Sequence, residues 1–129
     1  MYKRQIEDCG YTSVNVELMH EAKDLYGLPV FVAWPLIKTM SGINRVANGF
    51  FIGQASSVKS LHHNHRPMLF IHGTKDTFVP TAMVYQNYAA TRGPKELWLV
   101  KGAVHAKSFA TAPAAYQEHV KDFLEKYIK

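Results

Sequence analysis

The chain has 129 residues, 47% of them hydrophobic and 19% charged, with a formal charge of +5. That size suits one compact domain, 1–129, able to bury roughly two-thirds of its unfolded surface, and the composition excludes a disordered chain. No apolar run approaches the roughly 18 residues that span a bilayer, and Lys and Arg are scattered, with no cluster longer than "KR" at 3–4, so neither a membrane nor a nucleic-acid partner is expected.

The opening "MYKRQIEDCG" has charge but no apolar signal core, and Cys9 is the one cysteine, so a cytoplasmic setting is expected. "KRQIEDCG" (3–10) is a short strand candidate ending in acids and a glycine. A helix follows over "TSVNVELMHEAKDLYG", with Thr12 or Ser13 positioned to accept from the orphan amides of its first turn. Leu18, Ala22, Leu25 and Tyr26 recur at helical spacing, Gly27 suits the left-handed position after the end, and Pro29 blocks continuation. Residues 28–60 are apolar, rich in aromatic side chains and broken by Pro29, Pro35, Gly42, Gly49 and Gly53. They predict one or two short helices with irregular connections.

"RPMLFIHG" (66–73) is an apolar run of strand length with Pro67 at its start. "PTAMVYQNYAATRG" (80–93) predicts a helix with Met83, Val84 and Tyr88 on one face and Gly93 at its end. "KELWLV" (95–100) is a second buried strand, and 112–129 a final helix with Tyr116, Val120, Phe123, Leu124 and Tyr127 in an apolar stripe. Strand, helix, strand, helix at this spacing predicts parallel strands joined by right-handed crossovers, and an α/β fold. Parallel strands are covered on both faces, so "MLFI" and "LWLV" need not alternate. Chemistry in such sheets sits beyond the carboxyl ends of the strands. That rule selects "HGTKDTFVP" and "KGAVHAKSF".

Asp76 stands in the first of these loops and His105 in the second. A carboxylate beside an imidazole fixes the tautomer, frees the other ring nitrogen to take a nucleophile's proton, and stabilises the imidazolium that forms. The alternative is a turn-forming Asp76 and an unrelated loop histidine. "LHHNHRP" offers His62, His63 and His65, but a structural zinc site wants four ligands, usually more widely spaced, so a solvated loop is the better reading and no metal site or other cofactor is expected. Asp8 is a rival acid, and Cys9 reads as a small buried residue.

"LFIHGTKDTFVP", the "G-x-x-H" of "GAVHAKSF" with its His 29 positions after Asp76, and the amphipathic last helix resemble the carboxyl-terminal third of an α/β-hydrolase. The nearest group is the bacterial serine hydrolases of the prolyl-oligopeptidase and serine-aminopeptidase-like kind. The resemblance implies a partial α/β-hydrolase fold: about three parallel strands, the family's sixth to eighth, flanked by helices with a helical lid. It implies that 1–11 holds strand six, 12–66 the lid, where "LYGLP" fits, and 67–129 the strand-helix-strand-helix part. It implies Asp76 as triad acid, His105 as triad base, and His72 and Gly73 as loop-shaping neighbours. Phe31, Trp34, Phe50 and Phe51 would line a pocket in the lid, and the substrate would be a small ester, amide or peptide.

One part of the pattern is missing. The family nucleophile is the Ser of a G-x-S-x-G elbow ahead of the acid. Ser13, Ser41, Ser56, Ser57, Ser60 and Ser108 are the serines, and none has Gly at both −2 and +2. The chain therefore reads as a piece of a hydrolase, inactive alone. An unpaired edge on strand six predicts self-association or partner binding.

Overall fold

The computed structural model describes residues 4–127. Contacts divide them into two compact units: one holds the residues up to Tyr11 and from Val58 onward, the other Thr12–Ser57.

The first unit is a three-stranded parallel sheet in the order β1-β2-β3, with β1 Gln5–Asp8, β2 Met68–Gly73 and β3 Lys95–Val100. Gln5 pairs with Met68 and Met68 with Lys95, so the three strands begin level and their carboxyl ends share one rim. β2 is buried along its whole length, and its side chains separate by parity. Met68 and Phe70 pack with Val84 and Ala90 of a helix over Ala82–Ala90. Leu69 and Ile71 pack with Phe123 of a helix over Pro113–Tyr127. Both faces are thus covered, which is why the run is continuous rather than alternating. The last two residues of the helix predicted to 129 lie outside the described residues.

β3 departs from its expected burial. Only Val100 is buried, because β3 pairs on one side alone among the described residues. Its residues still divide correctly, Leu97 and Leu99 to one core and Trp98 and Val100 to the other. The crossover helix ends at Ala90 rather than at Gly93. Its last carbonyls, Tyr88 O and Thr91 O, accept from Lys95 Nζ at 2.7 and 2.8 Å, a favourable place for a cation. Gly93 serves close approach instead, since a Cβ there would stand 2.6 Å from the Arg66 carbonyl oxygen. A short helix, Ser108–Thr111, follows His105 and was not foreseen.

The second unit is helical. α1, Val14–Asp24, starts at Ser13, whose hydroxyl accepts from the Val16 amide, and Gly27 takes φ +61 beyond its end. Leu25 and Tyr26, expected on the apolar face, are exposed. The larger correction is α2, one 19-residue helix over Val30–Asn48 in place of two short ones. Pro35 lies in its second turn, where it removes a single ladder bond. The packed stripe Ala33, Ile37 and Ser41, at i, i+4 and i+8, holds the helix together across it. Gly49, at φ +84, ends it, and the Ile52 amide donates back to Ser41 Oγ at 3.0 Å. A 3₁₀ turn, Ile52–Gln54, follows. The helix Ser57–Leu61, α3, then leads back into the sheet unit, so in chain order Ala82–Ala90 is α4, Ser108–Thr111 α5 and Pro113–Tyr127 α6. Among the described residues no helix is long and apolar enough to cross a membrane.

Candidate active site

Two loops leave the carboxyl rim of the sheet and are tied to each other. Thr74 N donates to Val100 O at 3.1 Å, Lys75 N to Ala103 O at 2.9 Å, and Gly102 N to Thr74 Oγ1 at 2.9 Å. Gly73 permits this lacing, because a Cβ there would collide with the Ala103 carbonyl. Residues far apart in the chain therefore meet.

Asp76 is buried and divides its two oxygens between two tasks. Oδ1 accepts from the amides of Phe78 at 3.0 Å and Val79 at 2.9 Å, an Asx-type turn that shapes the loop. Oδ2 accepts from His105 Nδ1 at 2.9 Å. Turn former and histidine partner are thus one residue, not alternatives. His72 is fully buried and its Nε2 donates to the Val79 carbonyl at 2.9 Å, standing 3.4 Å from Asp76 Oδ2. The Nε2–H tautomer leaves Nδ1 without a hydrogen-bond partner among the described residues. The His105 side chain is 37% exposed, so the site opens to solvent through its ring.

Sequence reasoning missed two neighbours. Phe78 lies against the His105 ring, centroids 4.7 Å apart, and covers one side of it. Its position two residues past Asp76 in the same turn was the available signal. Cys9 directly follows β1 at φ +61, a left-handed conformation uncommon for a non-glycine residue. Its thiol reaches the Asp76 and His105 ligand atoms, the three lying within 4.8 Å of one another. Burial, and then the adjacent Asp8 carboxylate, push this thiol up to about 11. Asp8 itself does not bond His105. It accepts from Cys9 Sγ at 3.1 Å, Ser108 Oγ at 2.9 Å and Tyr116 Oη at 3.2 Å. Burial and that carboxylate raise the Tyr116 phenol.

His62, His63 and His65 are exposed and form no ligand cluster among the described residues. Phe31 and Trp34, on α2, and Phe50 and Phe51, after it, are exposed members of the helical unit.

Three parallel strands flanked by helices, with the Asp76 and His105 loops at their carboxyl ends, define an α/β fold. The chain is similar to the Pyrococcus furiosus esterase Pf2001 in three crystal forms. In the P21 form the TM-score is 0.61 at 17% identity, over 98% of this chain and 44% of the esterase. In the P212121 form the TM-score is 0.62 at 18% identity, over 98% and 46%. In the C2221 form it is 0.62 at 19%, over 98% and 45%. In sequence it is 27% identical to the uncharacterized protein YqkD of Bacillus subtilis over 120 residues, 93% of this chain and 38% of that protein. The chain thus spans less than half the length of the proteins it matches. No family model matches it.

Proposed function

We propose that this chain carries the acid and base of a serine-hydrolase-type site acting on small esters, amides or peptides. The observation that carries the reading is the 2.9 Å bond from His105 Nδ1 to a buried carboxylate whose other oxygen is held by two amides. With Nδ1–H directed at Asp76, His105 Nε2 is the nitrogen that would take a hydroxyl proton and later return it to the leaving group. Asp76 stabilises the imidazolium between those steps. Phe78 holds the ring in place, and His72 and Gly73 shape the acid loop. By the sequence resemblance the helical unit corresponds to the family's lid segment, and Phe31, Trp34, Phe50 and Phe51 are its candidate substrate-binding residues. The esterase neighbours favour an ester over a peptide as the substrate of a complete site.

No G-x-S-x-G occurs in the 129 residues. An acid–base pair alone is worth about 10²–10⁴ in rate, and each missing oxyanion donor costs about 10²–10³. Purified chain should therefore hydrolyse p-nitrophenyl butyrate no faster than His105→Ala does. Sustained turnover that disappears in His105→Ala would show a complete site and sink the claim of inactivity.

A second reading, self-association or partner binding, is favoured by one feature. Among the described residues β1 pairs on one side only, and Ile6 on it is 40% exposed. An apolar groove of about 570 Å³ is lined by Phe109, Tyr116, Val120 and Leu124. Tyr116 joins groove and strand through its bond to Asp8. Unpaired edges of this kind template pairing. Light scattering at tens of micromolar should show a dimer or larger species, reduced by Ile6→Lys. A monodisperse monomer would count against it.

A further inference from the structure

We propose that Cys9, Asp76 and His105 bind a zinc-type divalent transition metal, and that the bound metal silences the acid–base pair. The silencing rests on the proposed function; the binding does not.

The geometry comes first. One sulfur, one carboxylate oxygen and one ring nitrogen lie within 4.8 Å of one another. Zinc binds these donors at about 2.3, 2.0–2.2 and 2.0–2.1 Å, with tetrahedral angles. Such bonds put neighbouring donors roughly 3.3–3.8 Å apart, so a pair at the 4.8 Å limit needs to close by about 1 Å, while His105 Nδ1 and Asp76 Oδ2, at 2.9 Å, need to part slightly. Three protein ligands with one open position is an arrangement zinc adopts, and a thiolate in the set disfavours magnesium and calcium.

The surroundings suit the ion. Cys9 and Asp76 are each only 6% exposed, and the entry path is the partly open His105 ring. Asp76 is preoriented by the Phe78 and Val79 amides and Cys9 by its amide bond to Ile71 O at 3.0 Å. Ser108 Oγ stands 4.0 Å from the sulfur, with its one proton donated to Asp8 Oδ1 at 2.9 Å. Binding releases one proton: the Cys9 S–H bond breaks, a sulfur–metal bond forms, and the proton leaves to solvent. The dication then faces two anionic ligands, Cys9 thiolate and Asp76 carboxylate, with the Asp8 carboxylate, which gives up its hydrogen bond from Cys9, as a third negative group beside them. A thiol that stays protonated without metal becomes a ligand because the ion supplies the compensating charge.

Either ring nitrogen gives the same outcome. Metal on Nδ1 replaces the proton bridging to Asp76. Metal on Nε2 occupies the atom that would take the nucleophile's proton. The site escaped the sequence reading because its donors are widely separated and come from three different loops.

Cobalt(II) is the probe. A cobalt–thiolate charge-transfer band in the near ultraviolet reports sulfur coordination, and Cys9 is the only cysteine, so the exposed His62, His63 and His65 cannot produce it. Titration of the full chain should give the band at one cobalt per chain, bleached by zinc. Cys9→Ser, nearly the same size, should abolish it. His105→Ala should weaken cobalt binding at least about tenfold, and His62→Ala should leave it unchanged. Asp76→Asn, milder than truncation, serves as the third ligand test and should also weaken it. No thiolate band in wild type, or a band of unchanged affinity in both His105→Ala and Asp76→Asn, overturns the site. The band is read without substrate, so its failure and that of the hydrolase reading are separate results.

Discussion

Phe123→Ala should lower the unfolding free energy by about 3–5 kcal/mol, the range for truncating a buried aromatic residue. Phe123 is fully buried and is the one buried residue of α6. It sits in the cluster with Leu69, Ile71, Val100 and Ala103, so it is the anchor that holds α6 on the sheet. Its ring also contacts Tyr127, with centroids 5.1 Å apart. Removing it leaves a cavity between helix and sheet that backbone on both sides prevents from closing. Domains have only about 5–15 kcal/mol of stability in total, so the loss is a large share. Urea unfolding followed by far-ultraviolet circular dichroism measures it. Leu124→Ala, one residue on and only partly buried, is the control and should cost clearly less. Equal losses would contradict the assigned anchor.

Asp76→Ala should cost about 3 kcal/mol, because buried donors left without an acceptor cost about 1–3 kcal/mol each and partial relaxation recovers some of that. Three donors lose their acceptor: the Phe78 amide, the Val79 amide and His105 Nδ1. Asp76→Asn separates the two tasks. Its oxygen can keep the two amides, while its NH₂ confronts the His105 N–H, so the cost should be about half. Thermal or urea unfolding of both variants decides it. A loss under about 1 kcal/mol for Asp76→Ala would mean that the loop is held by its other bonds, Thr81 Oγ1 to Gly73 O among them.

The sheet unit was legible in the sequence because its physics is local. Apolar runs at 68–71 and 97–100, each followed by a helix, point to parallel strands joined by crossovers. The helical unit was harder. Pro35 and Gly42 argue locally for breaks, yet Ala33, Ile37 and Ser41 form a packed stripe that spans Pro35 and reaches the residue before Gly42. Burial of that stripe outweighed one lost hydrogen bond, and that balance is not visible residue by residue.

At the site the difference is sharper. Loop positions and chain order put Asp76 and His105 on one rim, because residues after successive parallel strands emerge there, and the family resemblance supplied the expectation that they pair. Which acid reaches the histidine was decided by tertiary structure. Asp8 ends a strand on the same rim, but Cys9, Ser108 and Tyr116 occupy its oxygens. The placement of Cys9 was also beyond the sequence. It depends on a left-handed residue directly after β1 and on the lacing of two loops by Thr74, Lys75 and Gly102. Periodicity reports which face a side chain takes. Distances across a rim depend on register and loop closure, which only the folded chain defines.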